Sequence, residues 1–193
     1  MLRYGIPEYR MPKAILDKEI DTIRELGVEI QYGKTFGVDV TYESLKKEGY
    51  EAIFIAVGSQ VGQPIGCEGE ACPMGVYSGV DFLSRVALGH KIDLTGKHVV
   101  VIGGGNTAID ASRTALRLGA EKVTIAYRRT KKEMPAHVME IEEAEYEGVE
   151  FEFLIAPKRI VSEAGKPIYI EFIRMELGEP DESGRRRPIE IPG

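Results

Sequence analysis

The sequence predicts an α/β fold, and three observations carry that prediction. Two continuous apolar runs, Ala52–Val57 and His98–Ile102, suit strands buried on both faces of a parallel sheet. The second run leads straight into the glycine turn Gly103-Gly104-Gly105 and then into a helical pattern. A further strand-like run, Lys122–Tyr127, follows that helix, which completes a strand–turn–helix–strand unit.

Each element has a local reason. Pro12–Leu26 reads as a helix: Leu16, Ile20 and Ile23 share one stripe, Ile15 and Leu26 complete the apolar set, Pro12 suits the first turn and Gly27 the stop. Val28–Tyr32 alternates and predicts a strand. Thr41–Lys47 predicts a short helix capped by Thr41. Ala52–Val57 predicts a buried strand ending at Gly58, and residues 58–75, rich in Gly, Pro and Cys, predict a long loop. Gly79–Leu88 predicts a helix with Val80, Phe82, Leu83 and Val86 apolar. His98–Ile102, Thr107–Leu118 (stopped by Gly119) and Lys122–Tyr127 form the central unit. Met134–Glu147 predicts a helix with Val138, Ile141 and Ala144 on one side and Gly148 as its stop. Val149–Leu154, Arg159–Val161 and Ile168–Leu177 predict a meander, and a last strand begins within Arg185–Gly193. The loop at the start and the strand begun at the end predict a piece of something longer.

Composition bounds the function. The chain has 193 residues, 43% hydrophobic and 29% charged, which is ordinary for a globular chain with a core and excludes disorder. No apolar run reaches the length of a membrane span, and no signal-peptide pattern opens the chain. Cys67 and Cys72 are too few for a disulfide framework, which predicts a reducing, cytoplasmic setting. The net charge of −6 argues against nucleic acid as a partner.

The chemistry concentrates at the turn. Gly103, Gly105 and Ala108 give the pattern G-x-G-x-x-A between a hydrophobic strand and a helix, the context of a Rossmann-like dinucleotide site. Gly103 allows the tight turn, Gly105 lets a pyrophosphate approach the backbone, and Ala108 lets the helix pack closely. Gly104 completes the turn; Asn106 and Thr107 add side-chain donors where the helix N-terminus already offers N–H groups to phosphate. The second strand then ends in Arg128-Arg129, followed by Thr130-Lys131-Lys132, with no acid at its tip. An acid there would take the ribose 2′-hydroxyl of NAD; arginines suit the 2′-phosphate of NADP. The expected coenzyme is therefore NADPH. The competing readings are a turn that merely packs a helix and a charge run that is merely solvated.

With these residues in place, the chain resembles the small (beta) subunit of glutamate synthase and its flavin-dependent pyridine-nucleotide reductase relatives. The matching stretches are Arg3–Pro12, Ala56-Val57-Gly58-Ser59, Val101–Asp110, Tyr127-Arg128-Arg129 and Glu133-Met134-Pro135-Ala136. The resemblance implies nested dinucleotide domains in a Rossmann-like three-layer FAD/NAD(P)-binding fold, here truncated. Residues 1–93 would be a partial FAD-type domain lacking its N-terminal G-x-G-x-x-G and its C-terminal segment. Residues 94–193 would be an NADP(H)-binding domain that is incomplete at its C-terminus. The resemblance implies hydride transfer from NADPH to FAD, and electron flow through iron–sulfur clusters carried elsewhere in the parent. The acceptor would be the large (alpha) glutamate synthase subunit or a ferredoxin-linked partner. Gly58 matches the family's turn near the junction of the two nucleotides.

Other residues read as structural. Cys67 and Cys72 read as unrelated loop thiols, since a structural metal needs about four ligands. His90, His98 and His137 are scattered, and no catalytic residue or metal ligand is expected. Asp110 is expected to pair locally, and Glu133 and Arg113 to face the cofactor or a missing domain. Two further classes are a non-catalytic dinucleotide-binding module and a methyltransferase; the Arg128-Arg129 tip speaks against the second.

Overall fold

The computed structural model describes residues 1–193 except Ser183, Arg185 and Gly193. The chain divides into two compact units. One comprises Met1, residues 3–7 and residues 60–193; the other comprises Leu2 and residues 8–59.

The smaller unit carries two helices. Helix α1, Lys13–Glu25, follows Pro12 and stops at Leu26 and Gly27, the latter at φ +89°. It buries no residue: Leu16 and Ile20 are half-buried and Ile23 is exposed. Helix α2, Tyr42–Lys47, is capped as expected, with the Thr41 hydroxyl accepting from the Ser44 N–H at 3.1 Å and Ser44 Oγ accepting from the Thr41 N–H at 3.0 Å. The runs 28–32 and 52–57 are not strands, which corrects both expectations. Phe54 is 93% exposed. Apolar, β-branched composition makes a segment fit to pair, but a strand exists only where a neighbour completes its ladder, and neither run enters one among the described residues.

The larger unit holds the site. Helix α3, Gly79–Ala87, is capped by the Ser78 hydroxyl, which accepts from the Asp81 N–H at 3.2 Å. Strand β1 (His98–Ile102), helix α4 (Asn106–Arg117) and strand β2 (Lys122–Tyr127) form the expected βαβ unit, with Val99 opposite Val123 and Val101 opposite Ile125. Helix α5, Val138–Tyr146, begins four residues later than expected. Pro135 disfavours helical backbone at Met134, which sits at ψ 127°, so residues 131–133 make one 3₁₀ turn and the chain then runs extended. Strand β3, Glu150–Phe153, joins the parallel sheet beside β2, not the meander, because α5 supplies the crossover a parallel neighbour needs. At Leu154 the chain takes φ +57° and passes to a second, antiparallel sheet. That sheet is β4 (Ile155–Glu163), β5 (Lys166–Pro180) and β6 (Arg186–Glu190), in that order. The meander is thus present, with longer strands and a different first member. Of the closing stretch, Arg185 and Gly193 lie outside the described residues.

The core sits between one face of the parallel sheet and the helices. Val123, Ile125 and Tyr127 of β2 pack with Ile109 and Ala115 of α4, Ile141 and Ala144 of α5, and Met134 and Ala136 between. Alternation along each strand sends residues 98, 100, 122, 124, 150 and 152 to the other face. A recess of about 410 Å³ opens there, with Phe172, Ile173 and Arg174 of β5 on its far wall.

Candidate functional site

The glycine turn lies where β1 ends and α4 begins. The Gly103 N–H donates to Ala126 O at 3.1 Å, which carries the ladder into the turn, and Gly103 itself sits at φ +135°, a conformation that excludes other residues. A Cβ on Gly103 would lie 3.7 Å from the Ala108 methyl, which is the close strand–helix approach the pattern predicts. Gly104 is buried against Tyr127: a Cβ there would stand 2.6 Å from the ring. Gly105 differs, because its nearest neighbour would be Pro135 Cγ at 3.9 Å. The side of Gly105 is open.

Gly105 is the N-cap of α4 and has no side chain to satisfy the first turn. The first turn of α4 carries no acid either. These are the conditions under which a helix N-terminus offers N–H groups and a positive dipole end to an anion. Asn106 and Thr107 are both exposed at this point. Asn106 is held: its Oδ1 accepts from the His137 N–H at 3.1 Å. With the oxygen engaged, the Nδ2 group is left to donate. Asn106→Asp keeps an acceptor for His137 and places a carboxylate beside the turn. Its fold stability is expected to stay within about 0.5 kcal/mol of the parent, since an acid in a first turn is favourable. Its affinity for NADPH and NADH alike is expected to fall about 10- to 100-fold, read by nicotinamide fluorescence.

A loop closes over the turn from β2. Ala136 N–H donates to Gly104 O at 3.1 Å. The Tyr127 hydroxyl donates to Glu133 O at 2.8 Å and accepts from Arg129 Nε at 3.1 Å. Thr130 and Glu133 form a capping box, with the Thr130 N–H 3.1 Å from Glu133 Oε2. The Thr130 hydroxyl chiefly, and the Arg129 charge least, hold the Glu133 carboxyl below its ordinary range. Arg128 is exposed and makes no hydrogen bond or ion pair among the described residues. Lys131 is tied to Glu145 at 2.6 Å.

The remaining candidates fall elsewhere. Gly58 is exposed at φ +70° in the other unit. Glu133 caps its own turn. Arg113 does not face the glycine turn: it is 5% exposed and pairs with Glu140 and Glu143 of α5 and with Glu147, which caps that helix, at 2.7–2.9 Å. Asp110 is buried on α4. Cys67 and Cys72 are both free; Cys72 Sγ donates to Gly165 O at 3.1 Å and so pins its loop to the β4–β5 turn. His98 Nε2 shares a hydrogen bond with Thr124 Oγ1 at 2.9 Å on the far face of the sheet. Among the described residues no group of three or more His, Cys, Asp or Glu is placed to hold a metal, and no helix is long and apolar enough to cross a membrane. Two partners of the site escaped sequence reasoning: Tyr127 as its floor and the 134–137 segment as its wall. The signal for the segment is Pro135, which disfavours a helix there and leaves the chain extended against the turn; Tyr127 carries no such signal.

Comparison with known proteins identifies the family and the fold. The chain is 46% identical to the NADPH-Fe(3+) oxidoreductase subunit beta of Geobacter sulfurreducens, over all of this chain and 29% of that protein. It is 47% identical to the NADP(+)-dependent formate dehydrogenase subunit beta of Moorella thermoacetica, over all of this chain and 27% of that protein. It is 39% identical to the glutamate synthase [NADPH] small chain of Halomonas elongata, over all of this chain and 42% of that protein. The chain thus spans less than half the length of these relatives. FprA from Mycobacterium tuberculosis shares the fold, with a TM-score of 0.79 at 20% identity over 98% of this chain and 57% of that one. A family profile matches residues 5–183. The fold is an α/β, Rossmann-like FAD/NAD(P)-binding fold, and the chain belongs to the pyridine nucleotide-disulphide oxidoreductase family.

Proposed function

We propose that this chain is the NADPH-binding portion of an NADPH-dependent flavin oxidoreductase of the glutamate synthase small-subunit type. The observation that carries the proposal is the open side of Gly105 at an uncapped, acid-free helix N-terminus, a few residues in space from a β2 tip that ends in Arg128 and Arg129. In this reading residues 94–193 are the NADP(H)-binding domain and residues 1–93 part of an FAD-type domain. Gly103–Ala108 and the first N–H groups of α4 take the pyrophosphate, Asn106 donates through Nδ2, and the arginine tip takes the 2′-phosphate. NADPH when bound supplies the hydride; the chain binds, orients and shields it.

The names of the relatives support the coenzyme and the subunit character. All three carry NADPH or NADP(+), and each is a beta subunit or small chain. For the whole protein the proposal includes FAD, near Gly58, and iron–sulfur clusters outside this chain. The partner is a larger electron-accepting subunit, of glutamate synthase or of a ferredoxin-linked enzyme, in the cytoplasm. Residues 8–59 contain no strand–glycine turn–helix cradle for a flavin.

The test is a titration of the 193-residue chain with NADPH and with NADH at one ionic strength. The chain has no tryptophan, so nicotinamide fluorescence is read without interference. NADPH is expected to bind about 10- to 100-fold more tightly than NADH, the worth of charge-assisted phosphate contacts. Equal affinities would remove the 2′-phosphate role from the arginine tip. Binding of neither would overturn the reading of residues 103–108.

A further inference from the structure

We infer that the two arginines at the tip of β2 do different work: Arg128 is the specificity-determining contact for the 2′-phosphate, and Arg129 is a positioning residue that acts on the pyrophosphate turn through Tyr127. The inference rests on the dinucleotide reading proposed above and divides its labour.

The division follows from what each side chain touches. Arg129 is engaged on several sides. Its Nε donates to the Tyr127 hydroxyl at 3.1 Å, and its guanidinium lies over the Tyr127 ring at 5.7 Å from the centroid. Its backbone carbonyl accepts from the Leu154 N–H at 3.2 Å, so the residue is pinned where the chain turns to the second sheet. Its charge lies near the Glu133 carboxylate. With Nε spent, the Nε–Nη edge of the guanidinium, one of its two forks for an oxyanion, is closed. Arg128 is exposed, with none of these ties among the described residues. A phosphate arriving at the tip therefore finds an available fork on Arg128 and a committed one on Arg129.

Tyr127 links Arg129 to the turn. Its ring is 6% exposed and forms the floor beneath Gly104. Its hydroxyl holds Glu133 O, which fixes the start of the segment whose Ala136 and His137 N–H groups bond Gly104 O and Asn106 Oδ1. The chain of contacts runs Arg129, Tyr127, Glu133, then Ala136 and His137, then the turn. Arg129 thus reaches the part of the site that meets the pyrophosphate, which NADPH and NADH share.

The experiment measures Kd for NADPH and for NADH on the full chain and on Arg128→Ala, Arg129→Ala, Arg129→Lys, Tyr127→Phe and the Arg129→Ala/Tyr127→Phe pair. Arg128→Ala is expected to lose about 10- to 100-fold in NADPH affinity with NADH little changed. Arg129→Ala is expected to weaken both nucleotides by one common factor of about 2- to 10-fold, the net worth of a hydrogen bond, leaving their ratio intact. Tyr127→Phe should reproduce that common loss, and the pair should be no worse than the poorer single variant, as for members of one network. Arg129→Lys keeps the charge without the guanidinium fork and should behave like Arg129→Ala. The inference is overturned if Arg129→Ala weakens NADPH alone, or if Arg129→Lys restores the NADPH preference. A parent chain that binds both nucleotides equally, or neither, would instead remove the reading beneath it.

Discussion

Gly105→Ala is expected to fold as the parent does and to bind NADPH and NADH about tenfold more weakly or worse, whereas Gly104→Ala is expected to lose stability. The two glycines are adjacent, and only their surroundings differ. At Gly105 the backbone is at φ −91° and ψ 173°, which any residue adopts, and a new methyl would meet nothing nearer than 3.9 Å. The methyl would instead fill the space through which a pyrophosphate reaches the backbone and the first N–H groups of α4, costing at least one charge-assisted set of contacts, about 1.5–3 kcal/mol. At Gly104 the methyl would stand 2.6 Å from the Tyr127 ring, which is itself buried among Met134, Ala136 and Ile125. The ring has nowhere to go without breaking its hydroxyl bond to Glu133 O. Overpacking of this kind costs about 1–3 kcal/mol, which lowers the melting temperature by roughly 2–12 °C in a chain of this size. Thermal unfolding and a nucleotide titration on each variant separate the effects. Unchanged nucleotide affinity in a well-folded Gly105→Ala would remove the pyrophosphate from this turn.

The same contrast shows what the amino-acid pattern could and could not reveal. Strands β1 and β2 were legible to the residue, because each is an apolar run whose neighbour lies across one short helix. The turn was legible because Gly103, at φ +135°, is a conformational requirement rather than a preference. The runs 28–32 and 52–57 look equally strand-like, yet they form no ladder, because composition cannot supply a neighbour. Apolar spacing predicts α5 four residues too early, because Pro135 disfavours helical backbone at Met134. That constraint creates the extended segment 134–137, which closes the site. The sequence marks Tyr127 only as the last residue of a strand; that it is the floor of the turn depends on the β1–β2 register, which only pairing defines. The ion-pair cluster on α4 and α5 was legible in principle. Glu140 and Glu143 of α5 and Glu147 at its C-cap fall on one side, and Arg113 and Arg117 on one face of α4.

Arg113→Ala is expected to be the most destabilising single change in the helical layer, by about 2–4 kcal/mol at neutral pH, although it lies outside the glycine turn. The side chain is 6% exposed and bridges α4 to Glu140 and Glu143 of α5 and to Glu147 at its C-cap. Glu140 and Glu147 are only 20% and 24% exposed, so removal of the cation leaves two largely desolvated carboxylates without it. Glu143 is 54% exposed, so Glu143→Ala should cost under about 1 kcal/mol, the worth of a solvated pair. The Glu147 carboxyl is drawn from 4.5 down to about 2, chiefly by its hydrogen bond to Arg117, with partial burial opposing and Arg113 adding to the pull. A carboxyl lowered in the folded state stabilises the fold fully above its ordinary value, and the contribution fades as pH falls through the folded one. The parent should therefore lose this part of its stability between about pH 4.5 and pH 2. Arg113→Ala has less of it to lose. Denaturant unfolding of both chains at neutral pH and near pH 2 should show the gap between them narrowing on acidification. A gap that stays constant would mean that Arg113 stabilises α4 against α5 by its packing, and that the charges of this cluster cancel their own cost of burial.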